Sequence, residues 1–419
     1  MTRFFMLLGL LFRIGFCCQE TRGQDDSAAA VQLRQLLKRF PAADANQDGR
    51  LTREEALEFR RRMQSDGSVG QAKKKSSGGG APREFGVDPG WELERFPEHA
   101  VCYLPPEEIR RIFATVSTGP AVISWDVPSD GARRVLGVGH SFMMPGYRTL
   151  PLIAAGAGLK QPLYTHTGGG ITGSARFKWE QENGIFGFDG NPTPKLLASI
   201  SNASWDAMTF GPYFNDRPEY FSCWIDFCLK YQPEMKFYIS DAWPQLSQLQ
   251  RNPESEDELT AEVIDRMGQE RLQMSREILD VLRTQYPGKV FVLPTSDAMV
   301  LAAKYFLRGE LPGVEGLHRV IGGRQKSLWA DQLGHLGPGF DRLEGYVFYA
   351  TLYGRSPELI TQEIQFGGNN GYPGTALDAQ FRRIAWQAVA GNSYSGVVDV
   401  NKDGLNDRPE SSDSDASRR

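Results

Sequence analysis

Short apolar runs alternate with longer amphipathic runs along most of the second part of the chain. From residue 133, the apolar runs that predict strands are RRVLGVG, QPLYTHT, WDAMTF, MKFYIS and KVFVLPT. Apolar residues at helical spacing predict helices over 145–156, 194–203, 217–231, 258–285 and 297–308. Short apolar strands separated by helices are typical of a parallel sheet that is covered on both faces. The expected fold class is therefore α/β, built as a three-layer α/β/α sandwich.

The first part of the chain has a different organisation. Residues 1–24 carry Arg3 and then an apolar run, which predicts a secretory signal, with a short buried helix as the alternative. Helical spacing on both sides of a polar loop indicates a small module over 25–64. The Gly-, Ser- and Lys-rich stretch 65–82 has the composition of a flexible linker, and 83–132 is an extension to which no role is assigned. The predicted location is secreted, periplasmic or cell-surface.

Composition narrows the classes of partner. The chain has 419 residues, of which 40% are hydrophobic and 23% charged, and its net charge is −4. These values are ordinary for a soluble globular protein, and there is no overall basic field to attract nucleic acid. After removal of the signal, no run reaches the roughly 18 apolar residues of a membrane-spanning helix. We therefore expect neither a nucleic-acid partner nor a membrane span.

One segment has the spacing of an EF-hand calcium loop. In DANQDGRLTREE, acidic and amide residues stand at loop positions 1, 3 and 5, a glycine at 6, and a glutamate at 12. The predicted calcium ligands are Asp44, Asn46, Asp48, the Arg50 carbonyl and Glu55. The helical runs on both sides predict a helical EF-hand module, in which calcium has a structural role.

A second segment, DVNKDGLNDRPE, repeats part of this spacing. Its predicted ligands are Asp399, Asn401, Asp403 and Asp407. Asn406 stands where an EF-hand loop has an apolar residue, so a solvated acidic tail is the alternative interpretation. The stretch 392–419 is accordingly predicted to be an Asp-rich calcium-type loop followed by a disordered tail.

A candidate nucleophile follows the first predicted strand. In VLGVGHSFMMPGYRTLP, the strand ends at Gly139, and Ser141 stands before a helix that Pro145 opens. A serine at a strand-to-helix turn is a common way to present a nucleophile, although the same position suits a helix cap.

Other polar residues also follow predicted strands. The glycine run in HTGGGITGS, represented by Gly169, offers backbone N–H groups to an oxyanion, or it forms only a turn. Asn215 follows the third strand and offers an amide, or it caps the next helix. In ADQLGHLG, His335 is a candidate base, and Asp331 is a candidate carboxylate to orient its ring.

The order of these parts resembles the SGNH (GDSL-like) hydrolase superfamily, in particular its secreted bacterial members. The resemblance covers roughly 133–391 and rests on GHSF, TGGG, GPYFND and DQLGH. It implies a flavodoxin-like parallel sheet. It also implies Ser141 as nucleophile, His335 as base, Asp331 as the orienting residue, and Gly169 and Asn215 as oxyanion donors.

The chain departs from the pattern of the superfamily at three places. His140 stands where the superfamily usually has Asp or Asn, and three residues instead of one separate Gly211 from Asn215. Three residues instead of two separate Asp331 from His335. Because an extra residue rotates the carboxylate relative to the ring, a Ser–His dyad is the alternative to a full triad.

The resemblance and the predicted export together imply a function. The expected protein is a secreted serine esterase that forms an acyl-enzyme on Ser141, with O-acetyl groups on extracellular carbohydrate as a plausible substrate. Catalysis would need no cofactor. The rival hypothesis is a non-catalytic, calcium-stabilised module that binds glycan on the same fold. The distance between Ser141 Oγ and a ring nitrogen of His335 discriminates between the two.

Overall fold

A computed structural model describes residues 44–46, 48–52, 55, 123–167, 175–182, 195–212, 216–366 and 371–408. The chain divides into two units, Met1–Arg83 and Glu84–Arg419. The predicted signal segment 1–24, the linker 65–82 and most of the extension 83–132 lie outside the described residues. All helices and strands named below belong to the second unit.

The strands and helices of the second unit follow one another from Val135 to Gly391. In chain order they are β1 (Val135–Val138), α1 (Met144–Gly156), β2 (Leu163–His166), α2 (Ala175–Glu182), α3 (Lys195–Asn202), β3 (Ala207–Phe210), α4 (Pro218–Tyr231), β4 (Lys236–Ser240), α5 (Ala261–Gln285), β5 (Val290–Leu293), α6 (Thr295–Leu307), β6 (Gly316–His318), α7 (Arg319–Gly322), β7 (Ser327–Trp329), α8 (Phe340–Tyr353) and α9 (Gly374–Gly391). None of these helices is long and apolar enough to cross a membrane.

Strands β1 to β5 form one parallel sheet in the order β2-β1-β3-β4-β5. In register, Val135 of β1 lies opposite Leu163 on one side and Ala207 on the other. The predicted α/β class with a parallel sheet is thus confirmed. A second sheet pairs β6 with β7. The hydrophobic pattern did not predict it, because its strands have only three residues each and display almost no alternation.

Alternate residues of the strands belong to two separate hydrophobic clusters. Val135, Ala207 and Tyr238 pack with apolar residues of α1, α6, α8 and α9. Their neighbours Leu136, Met208 and Phe237 pack with residues of α2, α3 and α4 and the C-terminal part of α5. Since successive strand side chains point to opposite faces, the sheet is covered by helices on both sides. This arrangement is consistent with a three-layer α/β/α fold.

Helices α1 and α8 pack closely through two glycines. A Cβ atom on Gly146 would lie 2.7 Å from the Phe348 ring. A Cβ atom on Gly345 would overlap Thr149 Oγ1 and lie 2.7 Å from Ile153 Cδ1. Thr149 Oγ1 also donates a hydrogen bond to the Asp341 carbonyl oxygen at 2.9 Å. The packing of α1 against α8 matters for the site described below, because α1 begins at Met144, directly after the residues of that site.

We predict that Gly345→Ala destabilises the protein although alanine favours the helix. The overlap with Thr149 should cost about 1–3 kcal/mol, against a gain in helix propensity of about 1 kcal/mol at most. Gly391→Ala is the matched control, because it also lies in a helix but has no atom within 4 Å of the added Cβ. Urea denaturation of the three proteins should show a lower midpoint for Gly345→Ala alone, and an unchanged or higher midpoint for Gly345→Ala would contradict this packing.

Candidate active site

Ser141 lies at the carboxyl edge of the sheet, between the ends of β1 and β3. Gly139 has φ +154°, and a Cβ atom there would lie 2.5 Å from Met143 Cγ and 3.2 Å from Gly211 Cα. The two strand ends therefore approach this closely only because Gly139 and Gly211 lack side chains. The backbone then turns, with the Met143 N–H donating to the His140 carbonyl at 3.0 Å, and leads into α1. In open α/β sheets, ligands bind at this point, where the strand order reverses.

A chain of two hydrogen bonds links Ser141, His335 and Asp331. Ser141 Oγ lies 2.6 Å from His335 Nε2, and His335 Nδ1 lies 2.7 Å from Asp331 Oδ2. Ser141 is exposed, and the His335 side chain retains 29% of its accessible surface. With Nδ1–H donating to the carboxylate, Nε2 is left as an acceptor for the serine hydroxyl proton, a tautomer that follows from the hydrogen-bond network.

A tight turn places Asp331 against the ring of His335. Asp331 Oδ1 accepts the backbone N–H groups of Leu333 at 3.0 Å and His335 at 3.1 Å. Gly334, with φ +87°, donates its N–H to the Asp331 carbonyl at 3.0 Å. The carboxylate is therefore folded back onto its own histidine. Although three residues stand between them in the sequence, the Asp331 carboxylate reaches the His335 ring at 2.7 Å. The arrangement is therefore that of three linked groups and not of the Ser–His dyad considered from the sequence.

The environment keeps Asp331 ionised. Partial burial acts to raise the pKa of Asp331, but the hydrogen bonds from the His335 ring and backbone N–H outweigh it. The result is a pKa below the usual value for aspartate. An ionised carboxylate can hold the imidazole in one tautomer and stabilise the imidazolium that forms when the ring takes a proton.

Aromatic rings pack around the histidine. Phe142 stacks on Trp243 with ring centroids 4.4 Å apart, and its edge meets the His335 ring at 5.1 Å. Phe142 and Trp243 are both buried. The ring of His335 is thus held on one side by packing and on the other by its bond to Asp331.

His140, the residue before Ser141, bridges two loops as a neutral ring. Its Nε2–H donates to the Pro212 carbonyl at 2.9 Å, and its Nδ1 accepts the Phe142 N–H at 3.3 Å. Burial lowers the pKa of His140 to about 4, and the nearby charges of His335 and Arg271 act in the same direction. His140 therefore joins the turn after β1 to the loop after β3 without carrying charge at neutral pH.

A cleft of about 200 Å³ lies next to these residues, at the carboxyl end of β4. It is lined by Pro212, by Asp241 and Ala242, and by residues of α5 that include Arg271 and Ser275. Pro212 is the residue that accepts the hydrogen bond from His140, and Ala242 precedes the Trp243 ring that stacks on Phe142. The cleft therefore borders the loop that His140 bonds and the loop that carries Trp243, whereas Ser141 and His335 are not among its lining residues.

The structure describes three of the five residues predicted to take part in catalysis. Gly169 and Asn215, the predicted oxyanion donors, lie outside the described residues. His166, the last residue of β2, contacts a buried pair on α2: its Nε2 lies 3.2 Å from Lys178 Nζ, and its Nδ1 lies 3.5 Å from Glu182 Oε1.

The two predicted calcium loops share a hydrogen-bond pattern. In the first loop the position-1 carboxylate of Asp44 accepts the Gly49 N–H at 2.9 Å. In the second loop Asp399 accepts the Gly404 N–H at 3.1 Å. The position-3 asparagine oxygen accepts the position-5 N–H at 2.9 Å in both loops, and both glycines have positive φ. Asp48 likewise accepts the Arg50 N–H, as Asp403 accepts the Leu405 N–H.

The loops close differently. Glu55 Oε1 accepts the Asn46 N–H at 3.4 Å, and Asp407 Oδ2 accepts the corresponding Asn401 N–H at the same distance. Position 12 of the second loop, Glu410, lies outside the described residues. Across the part of the chain that the structure describes, no three His, Cys, Asp or Glu side chains are gathered closely enough to hold a metal ion.

Sequence analysis missed Arg271. The apolar positions of α5 include Ile264, Met267, Ile278 and Leu282, and Arg271 stands at a position of the same stripe. A charged residue at an apolar stripe position is the signal that would have singled it out. Phe142 and Trp243 left no such signal, because apolar residues are expected in the core.

No known protein family and no curated protein matches this chain. Among solved structures, the chain is similar to the crystal structure of a DUF4886 family protein from Bacteroides uniformis, with 13% sequence identity and a TM-score of 0.39. The similarity covers 61% of this chain and 93% of that chain. At this level the likeness supports no argument about function.

We predict that His140 makes the protein lose stability in mild acid. Its pKa of about 4 in the folded state lies below about 6.5 in the unfolded state, so the unfolded state takes up the proton first as pH falls. The neutral ring contributes fully to the free energy of unfolding above pH 6.5. This contribution, about 3 kcal/mol, is lost as the pH falls toward 4. The variant His140→Gln keeps a donor and an acceptor but cannot titrate.

Urea denaturation at pH 7, 5.5 and 4.5 measures this effect as the difference between wild type and His140→Gln. The difference is needed because the buried acids Asp241 and Glu344 have raised pKa values and act in the opposite direction. Parallel stability curves for the two proteins would contradict the assignment of a depressed pKa to His140.

Proposed function

We propose that the protein is a serine esterase of SGNH type, with Ser141 as nucleophile, His335 as base and Asp331 as the residue that orients the base. The observation that carries the proposal is the hydrogen-bond chain from Ser141 Oγ to His335 Nε2 at 2.6 Å and from His335 Nδ1 to Asp331 Oδ2 at 2.7 Å. A nucleophile in contact with a base that a carboxylate orients is the arrangement that acyl transfer requires.

The reaction proceeds in two halves. Ser141 Oγ attacks the ester carbonyl carbon while His335 Nε2 takes the hydroxyl proton, giving a tetrahedral intermediate. The bond from carbon to the alcohol oxygen then breaks, and the alcohol leaves with the proton from His335. Water next gives its proton to His335 and attacks the acyl-enzyme, and collapse of the second intermediate frees the acid and returns the proton to Ser141.

The negative oxygen of each intermediate needs hydrogen-bond donors. The backbone N–H of Ser141 forms no hydrogen bond with a described residue and is adjacent to the attacking oxygen, so it is one donor. The superfamily resemblance adds Gly169 and Asn215. Removing one such donor typically costs about 100- to 1000-fold in kcat.

The rival hypothesis, a glycan-binding module without catalysis, is less well supported. A binding surface has no need for a serine hydroxyl within 3 Å of an imidazole that a carboxylate holds in one tautomer. The three groups are aligned, and Ser141 is exposed to solvent, where a substrate can reach it. This combination favours the enzyme over the binding module. The predicted signal over 1–24 makes the proposed esterase a secreted, periplasmic or cell-surface protein, which gives it access to O-acetyl groups on extracellular carbohydrate.

Calcium is the proposed structural ion. The fit to the first loop rests on Asp44, which is buried and whose Oδ1 has no hydrogen-bond partner among the described residues. Such a buried, unsatisfied carboxylate oxygen suits a hard cation, and Asn46, Asp48, the Arg50 carbonyl and Glu55 complete the set. The ion would stabilise the EF-hand module over 25–64 and take no part in the chemistry.

The second loop has the same type of donor set, and it is tied to the helical layer that contains α8 and α9. Trp386 Nε1 donates to Asp399 Oδ2 at 2.8 Å, and the Ser356 N–H donates to the Gly404 carbonyl at 2.7 Å. The ligands Asp399, Asn401, Asp403 and Asp407 would hold calcium there, and the ion would fix the segment that follows α9.

We predict that Ser141→Ala and His335→Ala each reduce hydrolysis of 4-nitrophenyl acetate by several orders of magnitude, as loss of a triad member does. Asp331→Asn should also lose about 1000-fold or more, because the amide can no longer hold the tautomer that the carboxylate selects. Initial rates of the purified variants, with circular dichroism to verify folding, measure this. Ser247→Ala, at an exposed serine on the same unit, is the control and should keep wild-type rates. Near-wild-type activity of Ser141→Ala would overturn the proposal.

We predict that the full-length protein binds two calcium ions and that chelation leaves esterase rates unchanged. Affinities in the range of about 10⁻⁴–10⁻³ M suit an extracellular site. Isothermal titration should find one site lost in Asp48→Ala and one in Asp403→Ala, whereas the exposed Asp257→Ala keeps both. If wild type shows no heat of calcium binding, both proposed calcium sites are wrong. A large fall in rate on chelation would show that a loop supports the active site.

A further inference from the structure

The second sheet carries the turn that joins Asp331 to His335. Trp329, the last residue of β7, forms an antiparallel bridge with Leu336. The Ala330 N–H donates to the His335 carbonyl at 2.7 Å. Both ends of the turn are thereby fixed to β7. The orientation of the Asp331 carboxylate toward the His335 ring therefore depends on what holds β7 and the turn from the side of β6.

His318, the last residue of β6, is buried against β7. It is the register partner of Trp329 in the parallel pair, and the two rings stack with their centroids 6.4 Å apart. Only 2% of His318 is exposed. Its backbone N–H donates to Glu256 Oε1 at 2.6 Å, so a third segment of the chain fixes its main chain. The imidazole is therefore held next to the strand from which the turn begins.

The hydrogen bonds of His318 select one tautomer of its ring. Nδ1 accepts the Val320 N–H at 3.3 Å, which caps the short helix α7. A ring nitrogen that accepts a hydrogen bond carries no hydrogen of its own. Burial lowers the pKa of His318, so the ring is neutral and its one hydrogen is on Nε2. The side chain is therefore a buried N–H donor.

The space beside this ring is narrow and adjoins the turn. It is lined by apolar residues of α5 and by His318, Trp329 and Gly334, and these walls leave no room for a water molecule between them. Nε2 has no well-aligned hydrogen-bond partner among the described residues. Burial lowers the pKa of His318, and the Asp331 carbonyl and carboxylate act against it, so Asp331 lies close to the ring. A buried donor without water is stabilised by the acceptor that lies near it.

We propose that His318 is a positioning residue for the catalytic base: its Nε2–H holds the Asp331 carbonyl, and with it the turn that presents the Asp331 carboxylate to His335. The Gly334 N–H donates to the same carbonyl at 3.0 Å, and a carbonyl oxygen can accept a second donor. His318 acts only through Asp331. Its effect on catalysis rests on the esterase function proposed above.

Two substitutions separate the roles of the two ring nitrogens. His318→Asn keeps an acceptor at the place of Nδ1, which caps α7, but has no group at the place of Nε2. His318→Gln brings an amide N–H to the place of Nε2 and loses the acceptor. For 4-nitrophenyl acetate, kcat should fall about 10- to 100-fold in His318→Asn, since a misplaced orienting group costs that much, and His318→Gln should restore most of it. KM should be unchanged in both variants.

Ser395→Ala is the control for loss of stability alone. Ser395 is buried, its hydroxyl donates to the Val389 carbonyl at 2.7 Å, and it follows Tyr394, whose carbonyl is bonded to the edge strand β5. Urea denaturation should show a lower midpoint for this variant, and its kcat should equal that of wild type. Wild-type kcat in folded His318→Asn would overturn the proposal. Equal losses of kcat in both folded His318 variants would also overturn it, because the Nε2–H would then not be the group that matters.

Nitrogen-15 spectra of the histidine rings test the contact without any reaction. The chain has only five histidines, so the full-length protein labelled at these rings gives few signals. Wild-type His318 should carry its hydrogen on Nε2 and exchange it slowly with water. The Nδ1–H of His335 should exchange about tenfold faster in His318→Asn than in wild type, the effect of losing one hydrogen bond on a local opening equilibrium. A wild-type His318 ring with its hydrogen on Nδ1 would overturn the proposal even if neither variant folds.

The possible failures are distinguishable. Faster exchange at His335 in His318→Asn, in a protein that cleaves no ester, would refute the esterase and leave the positioning contact standing. Ester cleavage at wild-type rates in folded His318→Asn, with unchanged exchange at His335, would refute the positioning role and leave the esterase standing.

Discussion

The close approach of β1 and β3 at their carboxyl ends is the constraint on which the site depends. Gly139 and Gly211 permit this approach, because a Cβ atom on either would collide with Met143 Cγ and would lie within 3.2 Å of the Cα atom of the other glycine. The Tyr147 hydroxyl reinforces it by donating to the Val138 carbonyl at 3.0 Å and contacting Thr209 Oγ1 at 2.9 Å. Ser141 is thereby carried on a turn between two strands whose relative position cannot change much.

Two histidines near this turn differ in environment and therefore in chemistry. His140 is buried, and both of its ring nitrogens form hydrogen bonds with backbone groups. Burial lowers its pKa to about 4. His335 retains partial exposure, and its nitrogens meet a carboxylate and a hydroxyl. The first is suited to fixing loops and the second to moving a proton. Arg271, a third basic residue nearby, donates its Nε–H to the Gln248 amide oxygen at 3.2 Å, and the charges of Asp241 and Glu270 partly offset the effect of its burial.

The two calcium-type loops illustrate how similar local sequences fold alike in different settings. Both place an aspartate, an asparagine and an aspartate at alternate positions before a glycine of positive φ, and both form the same side-chain-to-backbone hydrogen bonds. These bonds are local, so they need no particular tertiary context. What surrounds them differs, since Asp399 of the second loop also receives a hydrogen bond from Trp386 of α9.

The sequence by itself predicted the five strands of the main sheet, the helices α1, α3, α4, α5 and α6, and the position of Ser141 at the end of the first strand, because periodicity and turn residues act over short distances. It also indicated that Asp331 and His335 belong together, but it could not decide whether their unusual spacing permits contact. That depended on a turn stabilised by backbone N–H groups of Leu333 and His335. The strands β6 and β7 were missed although Gly316 pairs with Ser327 nearby in the chain, because three residues are too few to display a hydrophobic period. The contact of Ser141 with His335 emerged only in three dimensions, because these residues are 194 positions apart and a pattern of neighbouring residues carries no record of such a contact.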